Sequence, residues 1–494
     1  MNSPLAAPSA AAPEKSAPPQ AAPGAQSFSQ LPLPPHVLAN LAQLGYSAMT
    51  PIQAASLTLA LAGHDLIAQA KTGSGKTAAF CLALLANLNP RRFAVQALVL
   101  CPTRELADQV TQEMRRLARA EDNLKVLTLC GGATMRPQLA SLEHGAHVVV
   151  GTPGRIMDHL ERGSLQLDAL NTLVLDEADR MLDMGFFDDI GTVVKQCPKV
   201  RQTLLFSATY PEGIAKLAAA FMREPREVKL TAAPAPTQIR QVFFEVTEEQ
   251  RLHAVGLLLN HHRPVSTLAF CNTKAQCRDL VEVLRAQGFS ALELHGDLDQ
   301  RDRDQVLVRF ANRSTSVLVA TDIAARGLDI AQLEAVINVD VTPDAATHTH
   351  RIGRTGRSHR QSQGEGQAAN EAGWAFTLAS VDEMGRVGQI EQAGGFTSHW
   401  QPLASLTPAS SQPLKPPMRT LQILGGRKEK IRPGDVLGAL TKDLGFAGAQ
   451  IGKINVNEFS TYVAVAADIA AQAERRLNAG KVKGKSVKVR LLDS

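Results

Sequence analysis

Short, almost wholly apolar segments recur through most of this 494-residue chain, and segments with helical periodicity separate them. Apolar runs of four or five residues are typical of strands covered on both faces, as in parallel sheets. We therefore predict an α/β protein with two parallel-sheet domains in tandem. The predicted strands form two series: Asp65–Ala68, Ala97–Cys101, Val126–Cys130, His147–Val150, Thr172–Leu175 and Thr203–Phe206, then Thr267–Cys271, Ala291–Leu294, Val317–Ala320 and Ala335–Val339.

A glycine-rich segment lies between the first of these strands and a predicted helix that begins near Gly75. Glycines at 73 and 75 let backbone N–H groups turn inward around a phosphate chain, because no Cβ blocks the approach. The helix adds its positive end, the Lys76 ammonium can reach terminal phosphates, and the Thr77 hydroxyl can ligate Mg²⁺. A turn that serves only packing is the alternative, and Ala70 stands where the usual pattern has glycine. The predicted nucleotide contacts are Ala70, Lys71, Thr72, Gly73, Ser74, Gly75, Lys76 and Thr77.

The acidic segment Asp176-Glu177-Ala178-Asp179 directly follows a predicted buried strand. Ligands of doubly wound sheets bind beyond the carboxyl ends of the strands. A carboxylate there can hold Mg²⁺ beside the phosphates, and the next can deprotonate the attacking water. A cluster of acids that caps a helix is the alternative. The phosphate loop upstream makes us favour the metal site.

The second series carries Arg351, Arg354 and Arg357, whose spacing predicts three guanidiniums in one short helical stretch. Their mutual repulsion costs energy unless anions are near. An arginine directed at a γ-phosphate is a known device for stabilising the transferring charge. A basic helix that contacts solvent or RNA is the alternative.

Composition indicates a protein of the cytoplasm. The chain has no apolar run of about 18 residues and no basic-then-apolar start, so we expect neither a membrane span nor a secretory signal. The six cysteines lie mostly in apolar stretches, as reduced core thiols do. The net charge is +5, but from Met418 to Ser494 fourteen Lys and Arg stand against seven Asp and Glu. This concentration of positive charge predicts a polyanionic partner for the C-terminal segment. A solvated basic face without a partner is the alternative.

The ends of the chain differ from its middle. Residues 1–26 are rich in Ala, Pro, Ser and Gln, and we predict a disordered tail. A Pro- and Ser-rich linker at 401–417 precedes a segment, 418–494, whose order of strand, helix, strand, strand, helix, strand suits an α+β RRM-like module. Only Tyr462 is a candidate to stack a base there, so we expect recognition through the RNA backbone and shape. The basic residues that we predict to contact RNA are Arg427, Lys428, Lys430, Lys453, Lys481, Lys483 and Lys485.

From Phe28 to about residue 380 the chain resembles the DEAD-box RNA helicases. The resemblance implies two RecA-like domains, 27–232 and 237–400, that close on ATP and single-stranded RNA together. Such closure bends one strand, so each turnover would melt a few base pairs locally. The motifs that carry the resemblance are, in family order, Phe28 with Gly45-Tyr46 and Thr50–Gln53, then Ala70–Thr77, Pro102–Leu106, Gly131-Gly132, Thr152–Arg155, Asp176–Asp179, Ser207–Thr209, Phe270–Thr273, Gln300–Arg303, Thr321–Asp329 and His350–Arg357.

The resemblance also implies a role for each matched position. Phe28 and Gln53 would recognise adenine, Lys76 and Thr77 would hold phosphate and Mg²⁺, and Asp176 would hold the metal. Glu177 would be the general base, with Gly327 and Asp329 near the nucleotide and Arg354 and Arg357 on the γ-phosphate. Ser207, Thr209 and His350 would couple hydrolysis to RNA work. The RNA backbone would contact Pro102, Thr103, Arg104, Gly132, Thr152, Gly154, Arg155, Asn272, Thr273, Arg303 and Thr321.

The last domain resembles the terminal RNA-binding domain of one bacterial subgroup of these helicases, through Gly425–Thr441, Ile451–Ile454 and Gly480–Lys485. That resemblance implies binding to a hairpin of large-subunit ribosomal RNA during late assembly of the 50S precursor. We expect a monomer. Two alternatives stay open: an RNA clamp that binds ATP but hardly hydrolyses it, and a DNA-directed motor with the same two domains.

Overall fold

The computed structural model describes residues 26–70, 73–210, 212–230, 239–325, 333–356, 373–410 and 412–492. The chain divides into two compact units, residues 1–233 and 234–494. The predicted tail 1–26 lies outside the described residues except for Gln26. In the described part of the chain, none of the helices combines the length and the apolar character needed to cross a bilayer.

The first unit is a seven-stranded parallel sheet flanked by helices, in the strand order β3-β4-β2-β5-β6-β1-β7. Its strands are β1 (Leu66–Gln69), β2 (Ala97–Leu100), β3 (Val126–Leu129), β4 (Val148–Gly151), β5 (Thr172–Asp176), β6 (Gln202–Ser207) and β7 (Arg226–Lys229). Its helices are α1 (Pro35–Gln43), α2 (Pro51–Leu61), α3 (Lys76–Asn87), α4 (Arg104–Leu117), α5 (Met135–Glu143), α6 (Pro153–Glu161), α7 (Ala178–Asp183), α8 (Phe187–Lys195) and α9 (Glu212–Phe221), with 3₁₀ turns at Phe28–Gln30 and Ala118–Ala120.

Alternate residues of each central strand enter the cores on opposite faces of this sheet. On β5, Val174 packs in one core with Phe80 and Phe206, whereas Leu173 and Leu175 pack in the other. Both faces are covered by helices, so every position favours an apolar side chain. This burial on two faces is why the strands were recognisable as continuous apolar runs.

The second unit begins with another seven-stranded parallel sheet, in the order β10-β11-β9-β12-β13-β8-β14. Its strands are β8 (Ile239–Glu245), β9 (Thr267–Phe270), β10 (Ala291–Leu294), β11 (Val317–Ala320), β12 (Ala335–Asn338), β13 (Gly373–Ala379) and β14 (Trp400–Gln401). Its helices are α10 (Glu248–His262), α11 (Lys274–Ala286), α12 (Gln300–Ala311), α13 (Asp322–Ala325), α14 (Ala345–Ile352) and α15 (Met384–Gly394), with 3₁₀ turns at Val381–Glu383 and Leu403–Ser405.

The second unit ends in a small module with a four-stranded antiparallel sheet, in the order β16-β17-β15-β18. Helices pack on one face of the sheet, where Ile423 and Val463 meet Val436 and Leu477. The predicted α/β fold, with two parallel-sheet domains and an α+β RRM-like module, is confirmed. Its elements are β15 (Met418–Leu424), α16 (Pro433–Gly438), a π-helical turn at Ala439–Asp443, a 3₁₀ turn at Gly448–Gln450, β16 (Ile451–Val456), β17 (Thr461–Ala466), α17 (Ala470–Ala479) and β18 (Lys488–Leu492).

The other face of the small sheet contacts the parallel-sheet part of the same unit. The Thr420 hydroxyl accepts a hydrogen bond from Asn312 Nδ2 at 3.2 Å and lies 2.7 Å from Ser314 Oγ. On the same face Tyr462 is buried, and its hydroxyl accepts a hydrogen bond from Gln422 Nε2 at 3.0 Å. The expectation that Tyr462 can stack a base is therefore wrong, because packing within the unit closes off its ring.

The segment between the large and small sheets lies beside the end of α10. The Ala409 N–H donates to the Asn260 carbonyl at 3.1 Å, and Arg263 Nη1 donates to the Gln412 carbonyl at 2.8 Å. Leu406 is buried in the core of the parallel-sheet part. This part of the predicted linker is therefore attached to the unit along its length.

Candidate active site and RNA-binding edges

The strand order of the first unit separates the predicted site residues into two groups. β1, β6 and β5 are neighbours, and the phosphate loop, Ser207–Thr209 and Asp176–Asp179 occupy their carboxyl ends. β2, β4 and β3 are the neighbours on the other side, followed by the segments proposed to contact RNA. One edge of the sheet thus carries a candidate nucleotide site beside a candidate RNA site.

The phosphate loop has the backbone that its glycines were predicted to provide. Gly73 and Gly75 have φ of +80° and +97°, in the left-handed region that favours glycine, and Gly75 is the N-cap of α3. A Cβ on Gly75 would lie 2.7 Å from Gln53 Nε2 and 3.0 Å from Thr50 Oγ1. Position 75 therefore requires glycine for both its conformation and its neighbours.

Gln53 connects the phosphate loop to the start of α2. Its Oε1 accepts a hydrogen bond from the Thr50 N–H at 2.8 Å, and its Nε2 donates to the Gly75 carbonyl at 3.1 Å. The Thr50 hydroxyl accepts from the Gln53 N–H at 3.4 Å, which completes a capping box. The side chain thus holds the loop against α2, and its role toward adenine stays a prediction.

Lys76 is buried inside the loop that it follows. Its Nζ donates to the Ala70 carbonyl at 2.7 Å, and its charge favours the ionised forms of Asp176 and Asp179. The buried Ser74 hydroxyl has no hydrogen-bond partner among the described residues. A buried polar group of this kind fits a ligand that supplies the partner. Lys71 and Thr72 lie outside the described residues.

Asp176 ends β5 and is buried. Burial, followed by the charge of Glu177, raises the pKa of Asp176 to about 7, although the Lys76 ammonium opposes the shift. Its Oδ1 accepts the Glu177 N–H at 3.0 Å. The buried Asp176 carboxylate and the hydroxyl of the half-buried Thr77, at the end of the phosphate loop, are hard oxygen ligands of the kind that Mg²⁺ takes. These residues therefore fit a metal.

Glu177 has a strained backbone, with φ of +51° at a residue that is not glycine. Such a conformation costs about 1–3 kcal/mol and is concentrated at functional sites. The buried carboxylate forms an ion pair with Arg180 at 2.9 Å. Sequence analysis missed Arg180, which follows the acidic segment directly and fixes the Glu177 side chain.

Asp179 connects the acidic segment to the end of β6. Its Oδ2 accepts hydrogen bonds from the Ala208 N–H at 3.2 Å, the Thr209 N–H at 2.9 Å and the Thr209 hydroxyl at 2.8 Å. Burial opposes ionisation of Asp179, but the bonds from Thr209 and the charge of Lys76 prevail and lower its pKa. Sequence analysis gave Asp179 no role, since its partners lie about thirty residues downstream.

Phe28 is buried in the first 3₁₀ turn. Its ring packs edge-on against Tyr46, with the centroids 6.1 Å apart. The Tyr46 hydroxyl donates to Glu113 on α4, and burial, followed by that bond, raises the pKa of Tyr46. Phe28 is thus fixed to the core of the first unit, and its contact with adenine stays a prediction.

The predicted RNA edge of the first unit consists of helix starts and one turn. The Thr103 hydroxyl caps α4 by accepting the Leu106 N–H at 3.3 Å. Arg155 in α6 donates from Nη1 to the Ala133 carbonyl at 3.1 Å. The Arg155 bond connects the start of α6, which follows β4, to the segment after β3. Pro102 and Arg104 flank the cap, Gly132 has φ of +72°, and Thr152 and Gly154 begin α6.

The second unit places its predicted RNA residues after three neighbouring strands. Asn272 and Thr273 follow β9, Arg303 lies on the helix after β10, and Thr321 follows β11. The Thr273 hydroxyl caps α11 by accepting the Gln276 N–H at 3.2 Å. Arg303 Nη2 donates to the Ala324 carbonyl at 2.8 Å. The four residues therefore share one edge of this sheet.

Arg351 organises this edge from within. Its guanidinium is buried and makes a bidentate pair with Asp322 at 2.8 and 2.7 Å. It also donates to Asn272 Oδ1 at 3.1 Å and to the Asp340 carbonyl at 3.0 Å. Asp322 supplies the anion that the arginine spacing required, so Arg351 positions Asn272 rather than reaching a ligand.

The prediction that three arginines lie in one helical stretch needs correction. α14 ends at Ile352, and Arg354 lies in the turn beyond it, where the Thr355 hydroxyl donates to the Leu333 carbonyl at 2.5 Å. His350 lies in the last turn of α14 and is half-buried, and Arg354 is buried. Gly327, Asp329 and Arg357 lie outside the described residues.

The basic residues of the small module are exposed. Most of them lie in the loops after β15 and before β18, which meet where Lys483 Nζ donates to the Lys430 carbonyl at 2.5 Å. This gathers positive charge at one end of the small sheet, as expected for a polyanion site. The exposed residues are Arg427, Lys428, Lys430, Lys453, Lys481, Lys483 and Lys485.

Three family models match the chain in sequence. Residues 50–217 match the DEAD/DEAH box helicases, residues 250–359 the helicase conserved C-terminal domain, and residues 420–491 the DbpA RNA binding domain. The chain is 51% identical over 462 residues to ATP-dependent RNA helicase DbpA of Escherichia coli (strain K12), a match that covers 93% of this chain and 98% of that one. The chain belongs to the DEAD-box RNA helicases.

Other relatives agree. DEAD-box ATP-dependent RNA helicase CshA of Geobacillus kaustophilus is 42% identical over 367 residues, which cover 74% of this chain and 76% of that one. The structure of S. cerevisiae Dbp5 bound to RNA and ADP BeF3 superposes with a TM-score of 0.68 at 29% identity, and covers 77% of this chain and 96% of that one. The helicase is therefore an RNA-stimulated ATPase that unwinds RNA at the expense of ATP, and the predicted resemblance is confirmed.

Proposed function

We propose that residues 418–494 direct this helicase to a hairpin of large-subunit ribosomal RNA, and that it unwinds RNA nearby during late assembly of the 50S precursor. The exposed basic loops at one end of the small sheet carry the proposal, because they offer a concentrated positive field. The match of residues 420–491 to the DbpA RNA binding domain supports it. We further propose that the protein works in the cytoplasm as a monomer.

In the first unit, we propose that the loop from Ala70 to Thr77 binds the phosphates of ATP through its N–H groups, with Lys76 moving from the Ala70 carbonyl to the phosphates. Thr77 and Asp176 would hold Mg²⁺, which supplies positive charge to the phosphate oxygens. Glu177 would take the proton of the attacking water, and the Arg180 pair holds its carboxylate in place.

We propose that Phe28 and Gln53 contact adenine, and that Gly327, Asp329, Arg354 and Arg357 act on the nucleotide. Two guanidiniums near the γ-phosphate would stabilise the charge that develops there. The Asp179–Thr209 bonds connect the acidic segment to the end of β6, so a change at one is felt at the other. Ser207 and Thr209 would in this way couple hydrolysis to RNA work, and we propose that His350 of the second unit takes part in the same coupling.

The core residues proposed to bind RNA are hydroxyls, amides, arginines and helix starts at strand ends. Such groups contact phosphate and sugar, which fixes register but carries no sequence information. The proposed division of labour follows: the two parallel-sheet domains act on any RNA, and the small module chooses the site.

The test is a triple variant, Lys481, Lys483 and Lys485 to Gln, in the full chain. We expect its affinity for a ribosomal RNA fragment that carries the hairpin to fall at least tenfold at about 0.1 M salt, with a shallower salt dependence. The matched control changes the exposed Lys195, Lys199 and Lys216 of the first unit to Gln. Equal affinities of both variants for the fragment would overturn the proposal.

A further inference from the structure

Phe459 is an exposed aromatic side chain at the turn between β16 and β17. The turn is closed by the Asn457 N–H, which donates to the Ser460 carbonyl at 2.8 Å. The side chain is 60% exposed, although the ammonium of Lys428 lies 4.2 Å from its ring centroid. The lysine lies over one face of the ring, and most of the side chain stays accessible to a planar ligand.

The loop that carries Lys428 is fixed to the Phe459 turn. The Arg427 N–H donates to the Asn457 carbonyl at 2.9 Å, and the Lys428 N–H donates to the Glu458 carbonyl at 3.1 Å. The two backbones approach so closely that a Cβ on Gly426 would lie 2.3 Å from the Asn457 carbonyl oxygen. The backbones of the two loops are thus fixed to each other before any ligand arrives, which lowers the entropic cost of binding.

The charge around Phe459 is mainly positive. Arg427, Lys428, Lys430, Lys483 and Lys485 are exposed on the loops that meet at this end of the sheet. The acidic groups there are engaged. Glu458 pairs with Lys428 at 3.2 Å, Asp435 lies 3.5 Å from Lys483, and Glu429 accepts the Gly426 N–H at 2.7 Å. An aromatic ring among cations suits a nucleobase whose phosphates lie alongside.

Modules with this strand order normally stack bases on aromatic residues of the open sheet face. In this protein that face of the small sheet is covered by the parallel-sheet part of the same unit. Tyr462 and Gln422 are buried there, and Thr420 bonds to Asn312 and Ser314 of the parallel-sheet part. A base that stacks on this module must therefore find its ring elsewhere.

We propose that Phe459 stacks an unpaired base of the RNA that the small module binds, with Lys428 holding the opposite face of the ring. The proposal rests on the proposed function in one respect, that this module binds RNA. It adds a base-contacting residue to a surface otherwise expected to read only backbone and shape.

The experiment compares Phe459→Ala and Phe459→Trp with the parent, all as full chains. Phe93→Ala is the matched control, because Phe93 is 62% exposed but lies in the first unit. Two probes are titrated: the ribosomal RNA fragment with the hairpin, and an unstructured RNA whose purines are replaced by fluorescent 2-aminopurine. We expect Phe459→Ala to weaken binding of at least one probe about five- to a hundredfold. It should also abolish the part of the 2-aminopurine fluorescence quenching that stacking on the Phe459 ring produces.

Phe459→Trp should keep the affinity within about threefold, since the larger ring still stacks. If Phe459→Ala and Phe93→Ala bind both RNAs as the parent does, the stacking proposal is overturned. If the parent shows no preference for the hairpin fragment, the targeting proposal fails. A selective loss with Phe459→Ala on the unstructured RNA would still support stacking in that case.

Discussion

The carboxylate of Asp179 and the side chain of Thr209 form one hydrogen-bonded pair, with Oδ2 to Oγ1 at 2.8 Å and a second bond from the Thr209 N–H at 2.9 Å. The pair joins the start of α7 to the segment after β6. With the bond that the Ala208 N–H donates to the same carboxylate, it gives the acidic segment beside the phosphate loop a direct contact with the segment after β6.

Thr209→Val removes the hydroxyl while keeping its shape. A hydrogen bond to a charged group is worth about 1.5–3 kcal/mol, so we expect unwinding to slow at least tenfold while RNA-stimulated hydrolysis stays within about threefold. The control is Thr203→Val, because Thr203 lies on β6 itself and its buried hydroxyl has no partner among the described residues. Equal loss of unwinding in both variants would contradict the coupling role.

Asp176→Asn tests the cost of burying the carboxylate that we propose to bind the metal. The folded-state pKa of about 7 lies above the ordinary 3.8, so the stability from protonated Asp176 is present below about pH 4 and lost as the pH rises through 7. Without nucleotide or metal, the variant should be more stable than the parent by about 4 kcal/mol at pH 8 and equal to it near pH 4.

Calorimetric thermal midpoints measured in EDTA would check this. The exposed Asp168→Asn provides the control and should leave the midpoint unchanged at both pH values. An Asp176→Asn protein that is less stable than the parent at pH 8 would show that the carboxylate is stabilising, against the direction of its pKa.

Glu177→Gln removes the proposed base without changing its volume. We expect the rate of ATP hydrolysis to fall about 10²- to 10⁴-fold while RNA binding in the presence of ATP persists. Single-turnover hydrolysis and RNA titrations measure the two effects separately, with Glu161→Gln on the surface of α6 as the control. Hydrolysis within tenfold of the parent would exclude Glu177 as the base.

Thr420→Val tests whether the sheet face of the small module is closed. The change leaves Asn312 Nδ2 without its buried acceptor, while Ser314 Oγ keeps its bond to the Arg309 carbonyl, and the unpaired amide should cost about 1–3 kcal/mol of unfolding free energy. Urea unfolding followed by tryptophan fluorescence reports this unit, because Trp374 and Trp400 both belong to it. Thr315→Val is the control, since that buried hydroxyl has no partner among the described residues. No difference between the two would mean that the contact is not formed in solution.

The sequence was sufficient to predict most of the strands that are buried on both faces, because such strands consist of continuous apolar runs. The sequence analysis did not predict β8 or β13, although β13 is buried along most of its length. It was also insufficient at β7, where three of four residues are exposed at the sheet edge, and at β14, which has only two residues. Neither leaves an apolar run to detect.

The same contrast holds at the site. Residues such as Gly75 and Lys76 were recognisable because one loop needs them at fixed spacing. The partners of Asp179 and Arg351 are distant in sequence, so only the folded sheet brings them together. The prediction that Tyr462 can stack a base was wrong because packing against another part of the unit decides the exposure of its ring. Phe459 was missed because a lone aromatic residue in a turn belongs to no periodic pattern.

The most direct test of the whole account is steady-state ATP hydrolysis by the full chain with no nucleic acid, with unstructured RNA, and with a large-subunit ribosomal RNA fragment that carries the hairpin. The account predicts strong stimulation by the hairpin fragment at low concentration and weak stimulation by the unstructured RNA. Equal stimulation by both RNAs would contradict targeting by residues 418–494, and no stimulation by either would contradict an RNA-driven ATPase.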